Sequence, residues 1–156
     1  MRQQLSFMED RPICVLMSLR EEYYEAMLSG KKKYEYRTRY LKDVSAAYIY
    51  ISKTKKSIVA KIRFAKPIIG NALDIACLAE ENEKGSFDDI KEYLHNDIGY
   101  AMEVLSITPI KEVTLKELQE KFPDFVAPQS YYILDKKPEL LEFLESRIER
   151  NEKIYD

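Results

Sequence analysis

The hydrophobic pattern changes period several times along the chain, and each change marks an element. Ile13–Ser18 (ICVLMS) is a short unbroken apolar run and predicts a buried strand. It runs into Ser18-Leu19-Arg20-Glu21, a capping-box spacing in which a serine hydroxyl and a glutamate carboxylate satisfy exposed helix amides. The helix that follows, EEYYEAML, places Tyr23 and Met27 on one face, with Tyr24 and Leu28 beside them, and stops at Gly30. Then the period becomes two. Lys33, Glu35 and Arg37 alternate with Tyr34 and Tyr36, as in a half-buried strand. Ala46–Ser52 (AAYIYIS) alternates again, Lys53–Lys56 reads as a polar turn, and Ser57–Phe64 is a further strand that ends at the breaks Lys66-Pro67 and Gly70-Asn71.

The middle of the chain is helical by pattern. Asn71 is placed to cap a helix over 72–80, and Ser86 one over 87–94 with Asp88 and Asp89 in its first turn. Glu103–Val113 returns to strand character, and Thr114-Leu115-Lys116-Glu117 repeats the capping-box logic for a short helix ending before Phe122-Pro123. Tyr131–Leu134 is the last strand. Pro138 opens a terminal helix over 138–153, with Leu140, Leu141, Leu144 and Ile148 on its apolar side. Five or six short strands with helices inserted between them, and no regular βαβ alternation, predict an α+β class: a small mixed β-barrel with peripheral helices. There is no internal repeat or interdomain linker, so the 156 residues read as one domain, with its core over about 13–134.

Composition removes several functions. No apolar run approaches the roughly 20 residues that cross a bilayer. The start, MRQQLSFMEDRPICVLMS, lacks the ~7–15-residue apolar stretch of a secretory signal, so a cytoplasmic setting is expected. Cys14 and Cys77 lie in apolar surroundings without CxxC spacing; they read as reduced core thiols, and no metal site is expected. His95 is the only histidine, so any histidine-dependent triad or multi-histidine metal site must run through it. Its place at the end of a short helix suits a dipole-capping role instead. Neither GxxxxGK[ST] nor GxGxxG occurs, and no cofactor is implied.

The formal net charge of −2 conceals segregation. Lys31 to Lys66 holds twelve basic residues against two acids, and Asp74 to Glu103 holds nine acids against two lysines. A clustered positive field attracts phosphates whatever the total charge. The competing reading is that these lysines are spread over a strand-rich surface and protect exposed edges. Within the basic segment, Glu35 and Arg37 leave the same side of one strand, so the carboxylate can hold the guanidinium rigidly toward a ligand. An ordinary exposed ion pair of that spacing is worth no more than about 1 kcal/mol.

Met17-Ser18-Leu19, Met27-Leu28-Ser29-Gly30-Lys31-Lys32 and Tyr34-Glu35-Tyr36-Arg37 resemble the signature of the ASCH domain (activating signal cointegrator homology), a PUA-like β-barrel group. The family pattern runs helix, Gly-x-Lys-x-x-Glu-x-Arg, then a strand like Tyr48-Ile49-Tyr50-Ile51-Ser52. A late Pro128-Gln129-Ser130-Tyr131-Tyr132 segment is similar too. The helix after Pro138 is an addition to that pattern. The resemblance implies a cleft between the first helix and the motif strand that takes RNA or a nucleotide-like ligand. The residues it assigns or draws in are Lys31, Lys32, Glu35, Arg37, Arg39, Ser52, Lys53, Gln129 and Ser130. Tyr34, Tyr36, Tyr40, Tyr48 and Tyr50 raise base stacking, although alternation directs Tyr34 and Tyr36 away from Glu35 and Arg37 and toward packing. Tyr131 and Tyr132 have either role open to them.

Two other functions compete with a regulatory binding module. Some short relatives with a similar Gly-x-Lys motif are amidohydrolases of acylated pyrimidine nucleosides, using lysine, threonine and glutamate. Lys32 matches their lysine and Glu35 stands where they have threonine, so a hydrolase acting on a modified nucleoside or on RNA would use Lys32 and Glu35. A protein-contact regulator would use the acidic segment or the terminal helix, although such a helix more often docks on its own domain.

Overall fold

The computed structural model describes residues 13–95 and 97–148. One curled, mixed sheet of seven strands carries the molecule. Its middle is built from β1 (Ile13–Leu19), β3 (Val44–Ile51) and β4 (Ser57–Phe64), with β1 parallel to β3 and β3 antiparallel to β4. The 17-residue β6 (Ile98–Thr114) bends through register shifts, so that its second half pairs with β4. Pro109 lies opposite Ala60 at such a shift, where a missing N–H disturbs no regular ladder. The first half of β6 pairs with β2 (Tyr34–Arg37) and with β5 (Ile68–Asn71), both antiparallel. On the far side β7 (Tyr131–Ile133) pairs antiparallel with β1.

Five α-helices lie among the described residues: α1 (Glu21–Leu28), α2 (Ala72–Asn82), α3 (Phe87–Leu94), α4 (Leu115–Lys121) and α5 (Pro138–Ser146), with a 3-10 turn at Leu134–Lys136. The α+β class is as the pattern predicts. Both faces of the central strands are covered, which explains their near-continuous apolar runs. Inside the curl, Val15, Met17, Ile49, Ile51, Ile62 and Met102 pack together, and Tyr24 and Met27 of α1 close one end. Outside it, Leu16, Tyr48, Tyr50 and Ile58 pack under Leu118 of α4 and Leu140 and Leu144 of α5. The terminal helix therefore docks on its own sheet. A third cluster, Tyr36 with Ala72, Ile75, Ala79, Leu94 and Ala101, seats α2 and α3 on β2 and β6.

Several local expectations are corrected. Ser18 is not a helix cap: β1 stays in register with β3 through Leu19↔Ile51, Arg20 takes the N-cap position, and the Ser18 hydroxyl donates to the Pro128 carbonyl. Tyr23 and Leu28 are exposed, and Tyr24 and Met27 form the buried face. Gly70-Asn71 is part of β5, a strand and not a break. Ser86 precedes α3 as expected, but its hydroxyl donates to the Glu83 carbonyl at 2.7 Å. The Glu80 carboxylate accepts the Gly85 and Phe87 N–H groups instead, at 2.9 and 3.0 Å. Leu134 begins the 3-10 turn, and α5 ends at Ser146; positions 149–153 of the predicted helix lie outside the described residues. Cys14 is buried but Cys77 is exposed on α2, so only one thiol belongs to the core. Asn71 and Thr114 cap α2 and α4 as predicted, accepting from the N–H of Asp74 and of Glu117.

Candidate functional site

The site starts where α1 stops. Gly30 adopts φ +82°, a conformation that favours glycine, and the Lys32 N–H returns to the Ala26 carbonyl at 2.9 Å. This fixes the backbone of Lys32 just before β2. Two residues into β2, Glu35 is only 6% exposed, and a buried carboxylate requires charged or hydrogen-bonding partners. It has both. Arg37 Nε donates to Glu35 Oε2 at 2.8 Å, and Lys32 Nζ lies 3.8 Å from Oε1. The Lys32 ammonium also sits 5.0 Å from the Tyr36 ring centroid and 5.4 Å from that of Tyr23.

Arg37 has a second task. The strand path ends at β2 on one side and β7 on the other, and the Arg37 guanidinium bridges that seam. Nη2 donates to the Ser18 carbonyl at 2.9 Å and Nη1 to Ser130 Oγ at 3.1 Å. Just before β7 the Ser130 carbonyl accepts the Ser18 N–H at 2.9 Å, so the guanidinium completes the satisfaction of Ser18.

A cleft of about 560 Å³ opens over this array. Lys32, Glu35, Tyr36 and Arg37 form its floor. Arg20, Tyr23 and Ala26, spaced along α1, stand with Ser52 and Lys53 on one side, and Gln129 also reaches it. Glu83, Ser86, Asp89, Ile90 and Tyr93 of the α2–α3 pair supply the other wall.

Six of the nine predicted ligand residues therefore line one cleft: Lys32, Glu35, Arg37, Ser52, Lys53 and Gln129. Ser130 stands behind them as a partner of Arg37. Lys31 and Arg39 are exposed and lie outside the lining; β2 ends at Arg37, so period-two spacing does not extend to Arg39. The charge expectation needs correction as well. Of the twelve cations between 31 and 66, only Lys32, Arg37 and Lys53 line the cleft. With Arg20 they face Glu35, Glu83 and Asp89, a surplus of one positive charge. The cleft is mixed in sign, and two of its three acids, Glu83 and Asp89, come from the acidic segment.

The tyrosines divide. Tyr48 and Tyr50 are buried under the terminal helix, and Tyr40 packs edge-on against Tyr131 with centroids 5.2 Å apart. The Tyr132 hydroxyl donates to the Val126 carbonyl at 2.9 Å. Burial raises the phenol pKa of Tyr36, Tyr40 and Tyr48 and pushes that of Tyr132 up to about 12. Among the described residues only Tyr23, Tyr36 and Tyr93 reach the cleft. Tyr36 packs on α2 as alternation predicts, yet also serves as cleft floor.

Sequence reasoning missed Arg20, Tyr23 and the whole α2–α3 wall. Signals existed: Arg20, Tyr23 and Ala26 recur every three residues, and Ser86, Asp89, Ile90 and Tyr93 follow an i, i+3, i+4, i+7 stripe. His95 is the exposed C-cap of α3 and lies outside the cleft lining. Among the described residues no three His, Cys, Asp or Glu side chains converge as a metal site would require.

Comparison with solved structures gives the fold an independent parallel. The chain is similar to the ASCH protein of Zymomonas mobilis, with a TM-score of 0.67 and 23% identity over 83% of this chain and 94% of that one. A serine-to-alanine variant of that protein matches at TM-score 0.68 and 21% identity, covering 83% and 95% of the two chains. A tyrosine-to-phenylalanine variant matches at 0.67 and 22%, covering 83% and 96%. No family model and no curated protein sequence matches the chain. The chain thus shares the fold of these ASCH structures, as the resemblance carried by its motif residues implies.

Proposed function

We propose that this ASCH fold serves as an RNA- or nucleotide-binding module of regulatory type, with its ligand in the cleft between α1, β2 and the α2–α3 pair. The observation that carries the reading is the Lys32–Glu35–Arg37 array, with Nζ and Nε held 3.8 and 2.8 Å from one buried carboxylate at the floor of that cleft. Side chains fixed in this way bind without first losing rotamer freedom. A cleft of about 560 Å³ falls in the ordinary range for small-molecule sites, and tyrosine faces beside cations suit a nucleobase next to a phosphate. Cys14 and Cys77 are both free thiols, which suits a reducing cytoplasmic setting. No helix among the described residues is long and apolar enough to cross a membrane.

The test is titration of the protein with single-stranded RNA and with nucleoside monophosphates at low and moderate salt. Saturable binding that weakens as salt rises, and that K32A reduces at least tenfold, supports the module. Absence of binding to every RNA and nucleotide at millimolar concentration rejects it.

A hydrolase reading rests on the same Lys32–Glu35 pair, a cation and a carboxylate 3.8 Å apart that would have to close to hydrogen-bond distance to pass a proton during attack on an acyl group or phosphate. Glu35, however, is already held by Arg37, which favours its role as an orienting group. Product formation lost in K32A supports hydrolysis; full occupancy without turnover over hours supports binding alone.

A further inference from the structure

The cations of the cleft are not equally available. Arg37 spends three of its five N–H donors on Glu35, Ser130 and the Ser18 carbonyl, and Lys32 faces Glu35 between two rings. Arg20 meets only the exposed Glu22, at 3.8 Å, and Lys53 has no carboxylate partner among the described residues. These two are neighbours by construction. The Ser52 N–H bonds to the Leu19 carbonyl at 3.1 Å, which brings Arg20 and Lys53 to the same rim; on its outer side both also line an adjoining hollow with Glu21, Glu22 and Glu25, so a phosphate is placed on the cleft side. Lys53 holds φ +69° in the turn after β3, so its position is set by backbone geometry.

The α2–α3 wall carries the opposite sign. Glu83 and Asp89 face the cleft with no cation or hydrogen-bond donor on either carboxylate among the described residues, and Ser86 stands between them. A chain of phosphates running through the cleft would pass two uncompensated carboxylates, an arrangement that rejects that partner. One phosphate at the Arg20–Lys53 rim avoids them. Carboxylates accept hydrogen bonds from ribose hydroxyls and from exocyclic amines such as cytosine N4, so the uncharged end of the same ligand suits the acidic wall. Tyr23 and Tyr93 also line the cleft, the Tyr23 ring with the Lys32 ammonium 5.4 Å from its centroid.

Resting on the nucleotide-binding reading above, we propose that the ligand is a single nucleoside monophosphate: its phosphate at Arg20 and Lys53, its base and ribose donors toward Glu83 and Asp89. Lys32, Glu35 and Arg37 act as the rigid floor. The acidic wall of Glu83 and Asp89 disfavours a continuous RNA strand.

Calorimetric titration separates these roles, using the four common nucleoside 5′-monophosphates, their nucleosides, and an RNA octamer blocked at both ends. At least one monophosphate is expected to bind at least tenfold more tightly than its nucleoside and than the octamer. R20A/K53A should collapse the ratio of monophosphate to nucleoside affinity toward one. E83Q/D89N should weaken the monophosphate and strengthen the octamer, because it removes attraction to donors and repulsion of phosphates together. These side chains sit on the protein surface, and unchanged thermal melts verify folding. An octamer that binds more tightly than every monophosphate, or a monophosphate affinity indifferent to R20A/K53A, overturns the proposal while leaving the binding module intact. Absence of binding by all three probe classes overturns the underlying reading.

Discussion

Replacing Arg37 by alanine removes three hydrogen bonds at once and tests whether the barrel seam depends on one side chain. The guanidinium bonds to Glu35 at 2.8 Å, the Ser18 carbonyl at 2.9 Å and Ser130 Oγ at 3.1 Å. The larger loss is indirect. Arg37→Ala leaves the carboxylate of Glu35, 6% exposed, with only Lys32 at 3.8 Å. Removing one partner of a buried pair costs about 3–5 kcal/mol, and the remaining lysine places this case near the lower end. For a domain of this size about 3 kcal/mol lowers Tm by roughly 6–12 °C. Removing both charges with E35Q/R37Q should cost less than R37A alone, since the orphaned carboxylate is gone. R37K keeps a charge beside Glu35 but loses the fork to Ser18 and Ser130, so it should fall between R37A and the wild type. Thermal melts and urea titrations measure these shifts, and amide exchange adds location: protection should fall at Ser18 and along β7 before it falls in β3. A Tm for R37A within about 2 °C of the wild type, or a double variant less stable than the single, refutes the seam argument.

Other positions test the packing. The Tyr48 hydroxyl is buried without a hydrogen-bond partner, so Y48F should stabilise the protein by about 1 kcal/mol in urea titrations, and a loss of stability would show a missed partner. A Cβ on Gly99 would lie 2.6 Å from Leu94 Cδ1 and 3.0 Å from Cδ2, with Leu94 fully buried; G99A should cost about 1–3 kcal/mol, and an unchanged urea midpoint contradicts the close approach. Alkali should destabilise the fold in order. Burial raises Cys14 from 9.0 to about 12 and the phenols of Tyr36, Tyr40, Tyr48 and Tyr132 above 10, so the unfolded chain releases these protons first. The stability they contribute is complete below pH 9 and is lost from there upward, Cys14 alone accounting for about 2–3 kcal/mol by pH 11. A urea midpoint constant from pH 8 to 11 would refute the assignment, and C14A should flatten the early part of the fall.

How much the sequence disclosed depends on how local the cause was. The helix that stops at Gly30 and the alternation of Glu35 with Tyr36 are short-range facts, and they located the cleft floor to the residue. Asn71 and Thr114 capped as predicted for the same reason. Ser18 failed because strand pairing with β3 extends through Leu19, and tertiary register outweighs a capping box worth about 1 kcal/mol. β5 was hidden because its half-exposed Ile68-Ile69-Gly70-Asn71 is a strand only through pairing with the first half of β6, some thirty residues on. The sign of the cleft was the hardest property to read. The basic segment is dispersed over β2, β3, β4 and their turns, while Glu83 and Asp89 arrive from the acidic segment on a helix pair that Tyr36 helps to seat. Linear charge runs therefore predicted a patch where folding builds two walls of opposite sign.

Crystals soaked with the tightest-binding nucleoside 5′-monophosphate give the most direct test of the account. It predicts density in the cleft, with phosphate oxygens within hydrogen-bond distance of Arg20 and Lys53 and the nucleoside over Lys32, Glu35 and Tyr36, toward Glu83 and Asp89. Density at any other surface, with this cleft left to solvent at saturating ligand, contradicts it.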